Sequence, residues 1–258
     1  MTRLAIRHIL PSFLRAPLWG DRERWGLTVN EQDPCWQEWL DTYADFYLAN
    51  QREGIGTRVN DAGYRVMSSI DLSGKRVLEI GAGDIRHMPH WRGQPAEYLL
   101  ADVSTDMMDF ARKRLSEADI PHRTLLVQRN QPLALDDASV DVIVSFYSLE
   151  HLYPLRPYLE EMQRVLKPGG TLIGAIPAEG GLAWGGGRLL TSRRWFKKNT
   201  TIDPDKIICW EHPNFADQIV AELDQLFERQ NLVHWPLSWV PLLDLNLILR
   251  FLYRKQEV

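Results

Sequence analysis

The sequence predicts an α/β fold: a doubly wound, mostly parallel sheet with a helical N-terminal cap and an insertion after the fifth strand. Three observations predict it. From about residue 74, short apolar runs alternate with helical segments, the pattern of strand–helix–strand units with right-handed crossovers. Those runs show almost no polar alternation, as expected of strands covered on both faces. Residues 177–213 then break the rhythm with a stretch too long for an ordinary connection. The expected division is a cap over 1–70 and an α/β unit over 71–258 that carries the insertion 177–213.

The opening stretch, "MTRLAIRHILPSFLRAPLWG", is basic and apolar and is cut by Pro11, Arg15 and Pro17. It reads either as an amphipathic segment on a membrane surface or as a helix packed over the core. It has no leader pattern, and no apolar run in the chain approaches the ~20 residues that span a bilayer. In "WQEWLDTYADFYLANQ", Trp36, Trp39, Leu40, Tyr43, Phe46 and Tyr47 fall on one helical face. The strand candidates follow: "KRVLEI", "EYLLAD", "TLLVQ", "VDVIVSF" and "TLIGAI". Between them, "STDMMDFARKRLSEA" opens on Ser104 as N-cap and repeats Met107, Met108, Ala111 and Leu115. "PLRPYLEEMQRVLKPGG" stripes Leu155, Leu159, Met162 and Leu166, with Gly169 and Gly170 as a left-handed stop. A helix resumes after the insertion with Asn214 as N-cap, and two closing strands are expected near 232–240 and 245–253.

Composition narrows the partners. The 258 residues carry a net charge of −4, which argues against a nucleic-acid partner held by a broad basic surface. Cys35 and Cys209 form neither a disulfide framework nor a metal set, so a reducing, cytoplasmic setting is expected and no metal.

The chemistry starts at "VLEIGAGD", residues 77–84. A loop without Cβ atoms at the carboxyl end of the first strand lets a ligand lie against the backbone, and the N-terminus of a following helix would offer free N–H groups. Asp102 closes the second strand, where a carboxylate accepts hydrogen bonds from both hydroxyls of a ribose. A nucleoside ligand follows. Arg86 stands where the dinucleotide fingerprint needs a small residue, and its side chain would wedge between helix and strand. Glu79 suits a ligand with positive charge, such as an α-amino group.

These stretches, with "YLLADVSTDMMDFARKR", "LALDDASVDVIVSFYSLEHL" and "EEMQRVLKPGGTLIGAIP", resemble the class I S-adenosylmethionine-dependent methyltransferases over about residues 74–177. The resemblance implies a Rossmann-like fold and S-adenosyl-L-methionine as cofactor. It implies that Glu79, Gly81, Ala82 and Gly83 hold the methionine end and Asp102 the ribose. Val103 and Met107 would flank the adenine, and Phe146 and Tyr147 would line the floor. Two positions depart from the family: Ile85 stands where a third glycine is common, and no aspartate follows the third strand. Asn130 is the best stand-in there for contact with the adenine amino group, and Gln131 the next.

Methyl transfer needs a base only when the acceptor must lose a proton. His151, after Glu150 in "SLEHL", and His212 in "WEHPN" are the candidate catalytic residues, with Glu150 able to orient either; capping and packing roles remain open for both histidines. "TSRRWFKK" either grips a phosphate, an anionic glycan or a lipid head group, or is a solvated loop. The expected function is O-methylation of a small-molecule, glycan or glycolipid acceptor, with peripheral membrane contact open. The alternatives are a nicotinamide-dependent oxidoreductase and a nucleoside-binding protein without catalysis.

Overall fold

A computed structural model describes residues 5–47, 55–128 and 131–257. Its sheet contains β1 (Arg76–Ile80), β2 (Glu97–Asp102), β3 (His122–Leu126), β4 (Val140–Phe146), β5 (Leu166–Pro177), β6 (Glu228–Trp235) and β7 (Ile248–Arg254). The order is β3-β2-β1-β4-β5-β7-β6. Strands β1 to β5 pair in parallel, while β7 enters antiparallel to β5 and β6. The expected doubly wound, mostly parallel sheet is present.

The helices are α1 (Ser12–Trp19), α2 (Arg22–Trp25), α3 (Pro34–Tyr47), α4 (Ile55–Tyr64), α5 (Thr105–Glu117), α6 (Leu155–Val165), α7 (Leu182–Leu190), α8 (Ser192–Asn199), α9 (Pro204–Glu211) and α10 (Ala216–Leu226). Alternation along each strand divides the core. Leu78, Leu99 and Ile143 face α6 and α10, where Leu159, Met162, Ile219 and Leu223 are buried. Val77, Tyr98, Leu100 and Val144 face the other way, onto Val59, Met108, Ala111 and Leu115. Each fully buried Leu contributes roughly 2 kcal/mol by leaving water. A third cluster joins α3 to the insertion: Trp36 and Trp39 pack with Phe196, Ile207 and Trp210. No helix among the described residues is long and apolar enough to cross a membrane.

Several local expectations are corrected. Helix α6 stops at Val165, and Gly169, with φ +70°, lies inside the start of β5, where pairing jumps from Val140↔Leu166 to Val142↔Thr171. The glycines therefore make a bulge rather than a helix stop. Asn214 does not cap α10; its side-chain amide donates to the Leu149 and Leu152 carbonyls, and Gln218 takes the Phe215 N–H instead. Strand β3 is an edge strand, so its side chains are largely exposed. The closing strands begin at Glu228 and Ile248. On α3, Leu40 and Tyr43 face solvent rather than the core, and the Phe46 and Tyr47 side chains lie outside the described set.

The insertion is helical, α7 to α9, not an open loop. "TSRRWFKK" accordingly forms α8, with Arg193 turned inward to the Ala16 carbonyl at 3.1 Å and to Asp205.

Candidate active site

Strands β1 and β4 are neighbours from which the chain winds outward in opposite directions, and such a switch point opens a crevice at the carboxyl ends of the strands. The glycine loop lines it. Gly81 has φ +70° and Gly83 φ +50°, backbone that side chains disfavour. A Cβ on Gly81 would stand 2.5 Å from the Cβ of Ser148. Ser148 is fixed there by donating to the Ile80 carbonyl at 2.9 Å, with Ser145 Oγ 2.6 Å away. Ala82 is buried beneath the turn.

No α-helix follows this loop. The chain passes instead into a 3-10 turn, Met88–His90, because "HMPHWRGQP" carries prolines and a glycine where a helix would need to propagate. Free N–H groups must come from the loop itself. Arg86 does not wedge between elements; it reaches back to Asp84 at 3.3 Å. Ile85 takes φ +43° although it is β-branched, a strain of roughly 1–2 kcal/mol that its fully buried side chain offsets.

Asp102 ends β2 beside the loop. Its Oδ1 accepts the Ser104 N–H at 2.9 Å, and its Oδ2 stands 3.5 Å from the Gly83 nitrogen. Burial raises its pKa above the usual carboxylate range, against the opposing N–H groups of Ser104, Gly83 and Val103. Val103 follows with its side chain in solvent, 64% exposed, although it is apolar. A bare turn, a half-buried acid and an uncovered apolar residue together fit a nucleoside. Gln131 is exposed after β3, with its N–H on the Gln128 carbonyl at 3.2 Å. Asn130 and the Met107 side chain lie outside the described residues.

Glu79 sits deeper than the loop, 1% exposed. One oxygen is 2.8 Å from His87 Nε2 and the other accepts the Tyr98 hydroxyl at 2.6 Å. Trp91 donates to His87 Nδ1 at 2.8 Å, which assigns the ring proton to Nε2, facing the carboxylate. This chain of buried hydrogen bonds was not read from the sequence, where "RHMPHW" carries no signal that either aromatic or imidazole turns inward. Phe146 packs on His87 and Tyr64, at ring-centroid distances of 4.7 and 5.1 Å. Tyr147, at φ +54°, donates from its hydroxyl to the Asn60 carbonyl at 2.9 Å. The phenol comes so close to α4 that a Cβ on Gly63 would collide with it.

The two candidate catalytic histidines come together. His151 ends the short 3-10 turn after β4, and His212 follows α9 of the insertion; their rings meet edge to face at 4.6 Å. His151 Nδ1 lies 3.3 Å from Glu211, and His212 Nδ1 3.3 Å from Glu179. Glu179, wholly buried just past β5, also accepts from Arg188 at 2.7 Å and from the Trp184 indole at 2.9 Å. Trp39 of α3 donates to Glu211 at 2.8 Å.

The charges of this cluster are ordered. Burial pulls His151 down, but its hydrogen bond to Glu211 and the charges of Glu150 and Glu211 overcome this and raise it to about 9. Burial and the positive charge of Arg188 push His212 down to about 4. Burial would raise Glu179, but Arg188 and His212 hold it at about 2. Glu150, buried with one oxygen unpartnered, is pushed up to about 7 by desolvation, with His151 opposing. Glu179, Glu211 and Arg188 escaped the sequence reading because they lie in separate turns and helices of the insertion region.

Comparison with known proteins agrees with this geometry. Residues 78–174 match the family model of a methyltransferase domain. A probable S-adenosylmethionine-dependent methyltransferase of Mycolicibacterium smegmatis is 35% identical over 114 residues, 41% of this chain and 39% of that protein. A ubiquinone/menaquinone biosynthesis C-methyltransferase of a Shewanella species is 33% identical over 113 residues, 41% of this chain and 45% of that protein. The chain thus spans about two fifths of the length of these curated relatives. A SAM-dependent methyltransferase from Aquifex aeolicus shares the fold with a TM-score of 0.55 at 15% identity, over 82% of this chain and 97% of that one. The match begins inside β1 and ends inside β5, so it spans the glycine turn, Asp102 and the end of β4. Residues 78–174 are therefore similar to the methyltransferase domain of S-adenosylmethionine-dependent enzymes, which favours that reading over the nicotinamide alternative.

Proposed function

We propose that this protein uses S-adenosylmethionine to O-methylate a small or medium polar acceptor: a sugar, a glycolipid or a secondary metabolite. The observation that carries the reading is the neutral His212 imidazole on the ionised Glu179, with its ring against His151, three residues after the Ser148 that packs on Gly81. When bound, the cofactor supplies a methyl group on a sulfonium with its own leaving group, so alignment supplies much of the rate. The protein then has one proton to manage. His212 is poised to take it from an acceptor hydroxyl, with Glu179 stabilising the imidazolium that forms. His151, held protonated beside Glu211, serves as a fixed positive charge and not as the base. Glu79, Gly81, Ala82, Gly83 and Asp102 would form the donor site, with Val103, Met107, Asn130 and Gln131 about the adenine and Phe146 and Tyr147 as floor.

Helix α3 and the insertion share a core and both reach the histidine pair, which supports an acceptor pocket built from cap and insertion. The segment 5–20 supports peripheral contact with a lipid surface. Ile9 and Phe13 are 80% and 72% exposed, and Leu14 and Pro17 lie in solvent beside them, with His8 and Arg15 at the margin. The test is to incubate the protein with methyl-labelled donor and a metabolite and glycolipid extract, then locate the label by mass spectrometry. Label on an oxygen is expected. Label on carbon overturns the O-methylation reading, and donor binding without any labelled product overturns catalysis.

A further inference from the structure

Beneath α1 lies a cavity of about 170 Å³ lined by Arg7, Arg15, Arg22, Phe215 and Gln218. It stands apart from the glycine turn and Asp102. Three guanidinium groups line it, and each has a buried N–H without a partner: Nη1 of Arg7, Nε of Arg15 and Nε of Arg22. Arg7 is only 4% exposed. A charged donor buried without a partner loses its hydration and gains nothing in return, so three around one cavity call for an acceptor-bearing occupant.

The other donors hold the fork in place. Arg7 pairs with Asp217, Arg22 donates to the His212 and Pro213 carbonyls at 2.7 and 2.5 Å, and Arg15 reaches Glu23 at 3.3 Å. The Arg7 and Arg22 guanidinium carbons lie 4.2 and 3.6 Å from the centre of the Phe215 ring, which fixes their planes. The remaining acid on the cavity wall, Asp21, is occupied by capping the Arg24 N–H at 3.1 Å. Helix α10 starts at this wall, and its dipole favours negative charge there. Burial pulls the Arg22 guanidinium down to about 10; Glu179 opposes this, and the charges of Arg188 and Arg7 add to the fall.

We infer that this cavity is an oxyanion subsite, shaped for a phosphate or carboxylate group held by planar, charge-assisted hydrogen bonds from Arg7, Arg15 and Arg22. Arg22 ties it to the backbone of His212, so an acceptor bearing such a group would have it anchored beside the proton-taking residue. That last step rests on the proposed function; the subsite itself does not.

The experiment is calorimetry of the full chain with inorganic phosphate and, separately, with citrate, at constant ionic strength and with chloride as the control anion. Saturable binding of phosphate is expected if the source is a phosphate ester, and preferential binding of citrate if it is a carboxylate. Arg15→Gln, which removes a half-exposed group with one long pairing, should weaken that binding at least tenfold. Arg7→Lys keeps the charge, loses the fork and should weaken it similarly. Wild type and Arg15→Gln binding the anions equally, or neither binding them beyond chloride, overturns the subsite. S-adenosylhomocysteine is titrated in parallel with wild type and Arg15→Gln. Failure of that titration with phosphate binding intact overturns the methyltransferase reading and leaves the subsite standing.

Discussion

His151 and His212 face each other at 4.6 Å yet carry opposite protonation, one raised to about 9 and the other lowered to about 4. Burial and neighbouring charges create the difference: Glu211 favours the imidazolium of His151, while burial and then Arg188 disfavour that of His212. Two like side chains are thereby assigned separate work.

Replacing the proposed base tests that division. His212→Gln should lower kcat about 100-fold or more while leaving the S-adenosylhomocysteine Kd within twofold. His212 is neutral from neutral pH down to about 4, so activity should hold on mild acidification and fall as pH drops toward that value. A pH–rate profile of wild type and variant checks both statements.

The donor site is tested at two positions. Asp102→Ala should weaken S-adenosylhomocysteine at least tenfold in calorimetry, through loss of its hydrogen bonds to the ribose. Gly81→Ala should fail more broadly: its Cβ would meet Ser148 Cβ at 2.5 Å on a backbone with φ +70°. A loss of roughly 1–3 kcal/mol in urea denaturation is expected, together with loss of donor binding.

Glu150 predicts how stability depends on pH. Desolvation favours its protonated form in the folded chain, which keeps the proton to about 7, against 4.5 when unfolded. The stabilisation from that proton is complete below the unfolded value and is lost as pH rises through about 7. Glu150→Gln imitates the protonated form. At pH 8 it should be more stable than wild type, by on the order of 3 kcal/mol, and at pH 4 the two should unfold alike in urea.

The outward face of α1 gives the fourth expectation. Phe13→Asp removes an apolar group that is 72% exposed, so the melting temperature should stay within about 2 °C. Flotation with anionic phosphatidylglycerol vesicles should fall severalfold relative to wild type. Equal flotation removes the case for a lipid surface.

The sheet was readable because its strands are buried runs: "VDVIVSF" becomes a central strand with the same bounds, whereas the strand at the exposed edge begins two residues before "TLLVQ". The glycine turn and Asp102 were readable because backbone conformation and strand ends leave local marks. What the sequence hid is non-local. Nothing in "PAEGG" announces that Glu179 meets His212 and Arg188, since burial and the insertion's helices bring them together. Asn214 misled because a good capping residue found better partners in the Leu149 and Leu152 carbonyls. The role of Glu79 as partner to His87 and Tyr98 likewise depended on which face of β1 it occupies.

The Tyr147 hydroxyl, seated on Asn60 against the bare flank of Gly63, has a mechanical consequence. It joins α4 to the end of β4, and any side chain at position 63 would have to displace the phenol and part the two.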